Sequence, residues 1–195
     1  PRDHGAEHLP ARDRDAVASA IGLRMEDLVE NLPIQEVSCG VPYLFVPLRE
    51  REAVDRATGD AVAMLELPDL SRLHPAILLF AIELRGETDA TYSRMFAPGL
   101  GVLEDPATGS AAGPLGCYLV EHGLVTTDQA RQMTNAQGVK MGRASRIHMS
   151  ITGTPGAITD VKVGGQAVLE GVMMRGTQAM AVAVLGFFPC STHPV

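Results

Sequence analysis

The chain has 195 residues, 46% of them hydrophobic and 20% charged, which suffices to bury a core and fits one globular unit, or one and a half, rather than a disordered tail. Its net charge of −7, with the acidic residues scattered, argues against nucleic acid and anionic membrane surfaces as partners and leaves small polar metabolites. Cys39, Cys117 and Cys190 lie far apart with no C-x-x-C spacing, which argues against a disulfide framework or a zinc knuckle and fits a reducing cytoplasm.

The chain starts at Pro1 without a basic stretch followed by an apolar one, and no uncharged run reaches the ~18 residues of a spanning helix, so neither a signal peptide nor a membrane span is expected. The missing initiator methionine also fits a piece of a longer protein. Residues 1–11 are polar and carry His4 and His8 at i, i+4 spacing; with no third ligand nearby, no metal site is expected there. "ARDRDAVASAIGL" places Ala16, Val17, Ala20 and Ile21 at helical spacing with Gly22 as a stop. "EVSCGVPYLFVPL", residues 36–48, reads as two short strands or one bent strand, interrupted at Gly40 and Pro42. Residues 50–66 return to helical spacing. "PAILLFAIEL" (75–84) and "ATYSRMFAP" (90–98) read as a hairpin turning at "RGETD".

"GVLEDPATGSAAGPLGCYLVEHG", residues 101–123, reads as an acidic approach turn feeding a buried helix that ends at His122 with Gly123 as its C′ residue. Beyond it, "RQMTNAQGVKM", "SRIHMSITG", "AITDVKVGG" and "QAVLEGVMM" read as four short strands separated by Gly, Thr-Pro-Gly and Gly-Gly turns. One apolar helix among some seven strands predicts an α+β fold with a sheet curled round that helix, not a Rossmann sheet.

The start of this helix is the candidate site. Thr108 or Ser110 is the expected N-cap, its hydroxyl accepting a first-turn N–H, while Gly109 lets a ligand approach the backbone. The remaining amides and the helix dipole suit a carboxylate or phosphate. Ala111, Ala112, Gly113 and Gly116 keep the helix thin, and Leu115, Leu119 and Val120 fill the layer around it. Asp105, held on the approach by Pro106, could exchange a proton, hold a substrate amine, or only stabilise the dipole by roughly 0.3–1 kcal/mol. "TGSAAG" fits neither a P-loop nor a G-x-S-x-G elbow. Cys39 and Cys117 have no adjacent basic group and read as buried small hydrophobes rather than nucleophiles.

The block "RMFAPGLGVLEDPATGSAAGPLGCYLVEHG" resembles the signature of the PhzF-like phenazine-biosynthesis family, whose fold is that of diaminopimelate epimerase. "VSCGVPYLFVPL" is similar to the family's Ser-Thr-Gly-x-Pro strand, "QGVKMGRASRI" to its Gln-Gly-x-x-Met-Gly-Arg-Pro-Ser segment, and "VKVGGQAVLEG" to its closing Val-Gly-Gly strand, in that order. The resemblance implies two lobes, each a β-roll or barrel wrapped around a central helix, with the active site between them. It implies cofactor-independent proton transfer at an activated carbon of a small carboxylate substrate, with no metal. By matching position it implies Asp105 as the catalytic residue and Thr108, Gly109 and Ser110 as substrate-binding. Burial favours protonated Asp105 and the dipole favours the ionised form, so the sequence leaves that balance open.

The family's principal acid–base glutamate lies in a segment before the region matched here. The expectation is therefore the C-terminal two thirds of a family member: a helical connector at 1–34, one complete lobe at 35–171, and a divergent tail at 172–195. Such a chain is expected to be inactive alone, or to be a non-catalytic binding or dimerising module; relatives commonly pair, so a homodimer is expected. Pro114 replaces a helix former and predicts a later helix start or a kink, and Ala144 replaces a proline. The tail "GGQAVLEGVMMRGTQAMAVAV" also looks like the opening of an unrelated bacterial membrane-protein family.

Overall fold

The computed structural model describes residues 11–67, 76–83, 89–167 and 191–192. A mixed sheet runs in the order β8-β7-β6-β4-β3-β2-β1-β9, with β5 added beside β4. Its strands are β1 (Gln35–Ser38), β2 (Pro42–Leu48), β3 (Ile77–Ile82), β4 (Asp89–Ala97), β5 (Val102–Asp105), β6 (Met133–Gln137), β7 (Ser145–Thr154), β8 (Ala157–Ala167) and β9 (Ser191–Thr192). Two neighbouring pairs, β2 with β3 and β4 with β6, are parallel, and the others are antiparallel.

The central strands are apolar on both faces because both are covered. Tyr43, Phe45, Leu78 and Phe80 face one core, while Leu44, Val46, Ile77 and Leu79 face the other. The second core is closed by α1 (Ala11–Ala20), α2 (Arg51–Arg56) and α3 (Ala61–Glu66). The first is closed by α4 (Gly109–Glu121), which packs against β1 and β2 at one end of the sheet and against β7 and β8 at the other. One helix can touch both ends only if the sheet curls around it, so the expected α+β roll around a central helix is what forms.

The small residues make this geometry accessible. A Cβ on Gly116 would lie 2.8 Å from the Ile151 side chain, and one on Gly113 would lie 3.2 Å from Val161. Bulk returns one layer on, where Tyr118 stacks on Phe45 at 6.1 Å and meets Phe80 edge-on at 5.3 Å. Cys39 and Cys117 are buried as expected, their sulfurs 3.9 Å apart.

Several local expectations change. Val17, Ala20 and Ile21 are buried as expected, but Ala16 is exposed, and Arg14 and Ala18 join the buried face of α1; Arg14 donates to the carbonyls of Leu32 at 3.0 Å and Val29 at 2.8 Å. Residues 50–66 form two helices rather than one, broken at Gly59, where a Cβ would press into the Phe96 ring at 2.8 Å, and restarted by Asp60, whose carboxylate accepts from the amides of Val62 and Ala63. Residues 36–48 resolve as two strands, turning at Gly40 with φ +124°. β3 and β4 pair antiparallel as expected, and most of their connecting turn lies outside the described residues. The predicted Gly-Gly turn instead lies within β8, near its end: Gly164 pairs with His148 and Gly165 with Ile147, because ladder pairing along β7 outweighs glycine's turn preference. The rest of "QAVLEGVMM", His4, His8 and Cys190 lie outside the described residues; of the tail, only Ser191–Thr192 is described, and it pairs with β1.

Candidate active site

β5 delivers the acidic pair, and a strand sends adjacent side chains to opposite sides. Glu104 turns back to Arg94 on β4, whose Nε and Nη2 each donate to its carboxylate at 2.8 Å. Arg94 Nη1 donates to the carbonyls of Val54 and Ala57 at the end of α2. Glu104 is thus an anchor that ties β5 to the sheet and to α2.

Asp105 faces the start of α4 and is half-buried. Its Oδ2 accepts from the Thr108 hydroxyl at 2.7 Å. Sequence reasoning placed it on a turn; it is instead the last residue of β5, paired with Met95. β5 is short and largely exposed, so no alternating pattern announces it.

Thr108 is the N-cap by position, but its hydroxyl makes no cap bond to the first turn, which corrects that expectation. Its carbonyl does accept from the amides of Ala111 and Ala112, which closes the first turn. The hydroxyl is taken by Asp105 and by Gln137, and Thr108 is buried. Gly109 and Ser110 are exposed at the helix start, where geometry leaves their amides without intrahelical partners. A Cβ on Gly109 would meet nothing within 4 Å, so the space above it is open. The Ser110 hydroxyl shares a 2.6 Å hydrogen bond with Tyr43 of β2. All four expected residues therefore come together. The helix runs through Pro114 without a later start.

Two participants were missed. Tyr43 directly follows the quoted Ser-Cys-Gly-Val-Pro segment, and Gln137 opens the quoted Gln-Gly segment; neither was given a role. Gln137 is fully buried at the end of β6. Its Oε1 accepts from the Thr108 amide at 3.2 Å, and its Nε2 donates to the Asp105 carbonyl at 2.7 Å and to Thr108 Oγ1 at 2.9 Å. Gly138 follows with φ +74°, and a Cβ there would collide with the carbonyl of Arg143 and lie 2.7 Å from that of Pro106. The Gln-Gly pair is thus the joint at which β6 meets the Asp-Pro turn. Farther along these strands Thr91 donates to Asn135 Oδ1 at 3.0 Å, while Ser93 Oγ and Asn135 Nδ2 are buried without a partner among the described residues.

The arrangement offers one carboxylate, two open amides and a hydroxyl at the positive end of a buried helix. That combination can bind an anionic group and exchange a proton beside it. The family model for phenazine biosynthesis-like proteins matches residues 6–173. The chain belongs to that family.

Among curated relatives, it is 31% identical over 157 residues to the uncharacterized isomerase YddE of Salmonella typhimurium, covering 80% of this chain and 52% of the relative. It is 35% identical over 147 residues to the trans-2,3-dihydro-3-hydroxyanthranilate isomerase of Pseudomonas aeruginosa, covering 75% of this chain and 48% of that one. The crystal structure of a PhzF-family phenazine biosynthesis protein from Bacillus anthracis superposes with a TM-score of 0.66 at 22% identity, over 86% of this chain and 54% of that one, and supports the fold. The chain spans about half the length of the curated relatives it matches, less than the two thirds expected from the sequence.

Proposed function

We propose that the chain supplies one lobe of a cofactor-independent isomerase or epimerase that moves a proton on a small, carboxylate-bearing substrate resembling a cyclic amino acid. Asp105 handles the proton. The amides of Gly109 and Ser110 hold the substrate's anionic group, and Thr108 contributes through its bond to Asp105. The observation that carries this reading is the placement of Asp105 against the open start of α4, with Thr108 between them. The names of the relatives support an isomerase, and that of the Pseudomonas aeruginosa protein supports a dihydro-hydroxyanthranilate as the type of substrate. We place the protein in the cytoplasm and expect it to work as a homodimer.

A general acid–base group contributes roughly 10²–10⁴-fold in rate. The reading needs a second such group from a second lobe, so the chain alone is inactive. The test is solvent-deuterium incorporation into trans-2,3-dihydro-3-hydroxyanthranilate by the chain alone and by the chain supplied with the N-terminal half of the Pseudomonas aeruginosa relative. Incorporation is expected only in the second case, and Asp105→Asn reduces it at least 100-fold. Unchanged exchange in that variant removes Asp105 from the mechanism. A second reading, a binding or dimerising module that keeps the fold without turnover, predicts substrate binding with no exchange in either arrangement.

A further inference from the structure

Resting on the assignment of proton transfer to Asp105, we propose that Gln137 is a positioning residue that fixes the Thr108 hydroxyl as a donor to Asp105 Oδ2 and so makes Oδ1 the oxygen that carries the proton. Hydrogen-bond polarity fixes the orientation of every group in this chain of contacts. A backbone N–H only donates, so the Gln137 atom 3.2 Å from the Thr108 amide is its oxygen. A carbonyl only accepts, so the atom 2.7 Å from the Asp105 carbonyl is its nitrogen. Two backbone groups of fixed polarity thus set the amide's orientation without ambiguity.

The second hydrogen of that nitrogen points to Thr108 Oγ1, 2.9 Å away, which must accept it. The hydroxyl has one hydrogen left to give, and Asp105 Oδ2 lies 2.7 Å from it. A proton on Oδ2 would face that hydrogen head-on. Among the described residues Oδ1 meets only the Ala107 amide, at the marginal distance of 3.5 Å, and is the oxygen left for a proton. In the transfer a substrate C–H bond breaks, its electron pair stays on the substrate, and an O–H bond forms at Oδ1, while the acid–base group of the second lobe gives a proton to another carbon; both groups regain their starting protonation by exchange with water. No electrons leave the substrate and no co-reactant is needed. Gln137 itself is fully buried and touches no substrate, so it acts only through Thr108 and Asp105.

The test uses NMR of the chain as it stands. The Thr108 hydroxyl proton is expected to exchange slowly enough with water to be observed, with cross-peaks to the Gln137 side-chain amide. Gln137→Met removes the donor, and the hydroxyl proton then exchanges at least tenfold faster; Asp105→Ala removes the acceptor and gives the same change. Unaltered exchange in either folded variant overturns the relay. Thr108→Val keeps both backbone bonds of Gln137 and deletes only the hydroxyl. In the two-lobe isomerase assay it lowers kcat about tenfold at unchanged KM, and Thr108→Ser restores the rate. A rise in KM without loss of kcat would instead make Thr108 a substrate contact and overturn the assignment. If no variant or wild type exchanges deuterium, the isomerase reading fails while the hydroxyl measurement still decides the relay.

Discussion

Arg94 holds Glu104 in a two-pronged ion pair, 2.8 Å at each contact, with both side chains largely buried, and that grip leaves Asp105, the very next residue, facing the other way toward α4. The neighbouring carboxylates therefore have different work: one fixes β5, and the other stands at the helix start.

Glu104→Ala should lower stability by about 3 kcal/mol, because it leaves a buried guanidinium short of its anion. Urea unfolding measures this. Arg94 keeps its carbonyl partners, so the Arg94→Ala, Glu104→Ala double variant should lose less than the sum of the two single changes. Additive losses would show that the pair does not couple.

Gly138→Ala should be costlier than an ordinary surface glycine change. The left-handed backbone alone costs an L-residue roughly 1–2 kcal/mol, and the new methyl would collide with the carbonyls of Pro106 and Arg143. Thermal unfolding should show a clear drop, and amide exchange should quicken at Thr108 first, since Gln137 is displaced with its neighbour. Gly109→Ala, with nothing within 4 Å of its Cβ, should leave stability within about 1 kcal/mol.

Burial pushes the Tyr118 hydroxyl well above the ordinary tyrosine range, and it donates to the Pro33 carbonyl at 2.8 Å. Above pH ~10 an unfolded tyrosine loses its proton while the buried one keeps it, so the unfolded state binds fewer protons and stability falls as pH rises. The contribution is fully present below that pH. Tyr118→Phe should flatten the alkaline decline measured by denaturant midpoints from pH 9 to 11; an unchanged slope would exclude Tyr118 as its source.

The central helix was legible because its composition is unusual at every position: small residues where β7 and β8 pass close, large ones a turn later, and a glycine with φ +64° just past its end. β5 was not legible, since four residues with an exposed face carry no periodicity. The break between α2 and α3 was written in Thr58-Gly59-Asp60, a glycine followed by an N-cap, but the apolar spacing on either side masked it. Gln137 escaped notice for a different reason. It is far from Thr108 in the chain and reaches it only because β6 lies parallel to β4, directly beside the strand that carries β5. Strand order of that kind is a tertiary fact, whereas the Asp-Pro-x-Thr-Gly-Ser approach to the helix is local and can be read directly.

The proposed chemistry requires that the start of α4 receive an anionic ligand beside Asp105. The most direct measurement is a titration of the ¹⁵N-labelled chain with anthranilate, a cyclic amino carboxylate, followed by amide NMR. Saturable shifts centred on Gly109 and Ser110, diminished when ionic strength is raised, are the expected result. Shifts confined to other parts of the sheet, with those two amides unmoved at saturation, would contradict it.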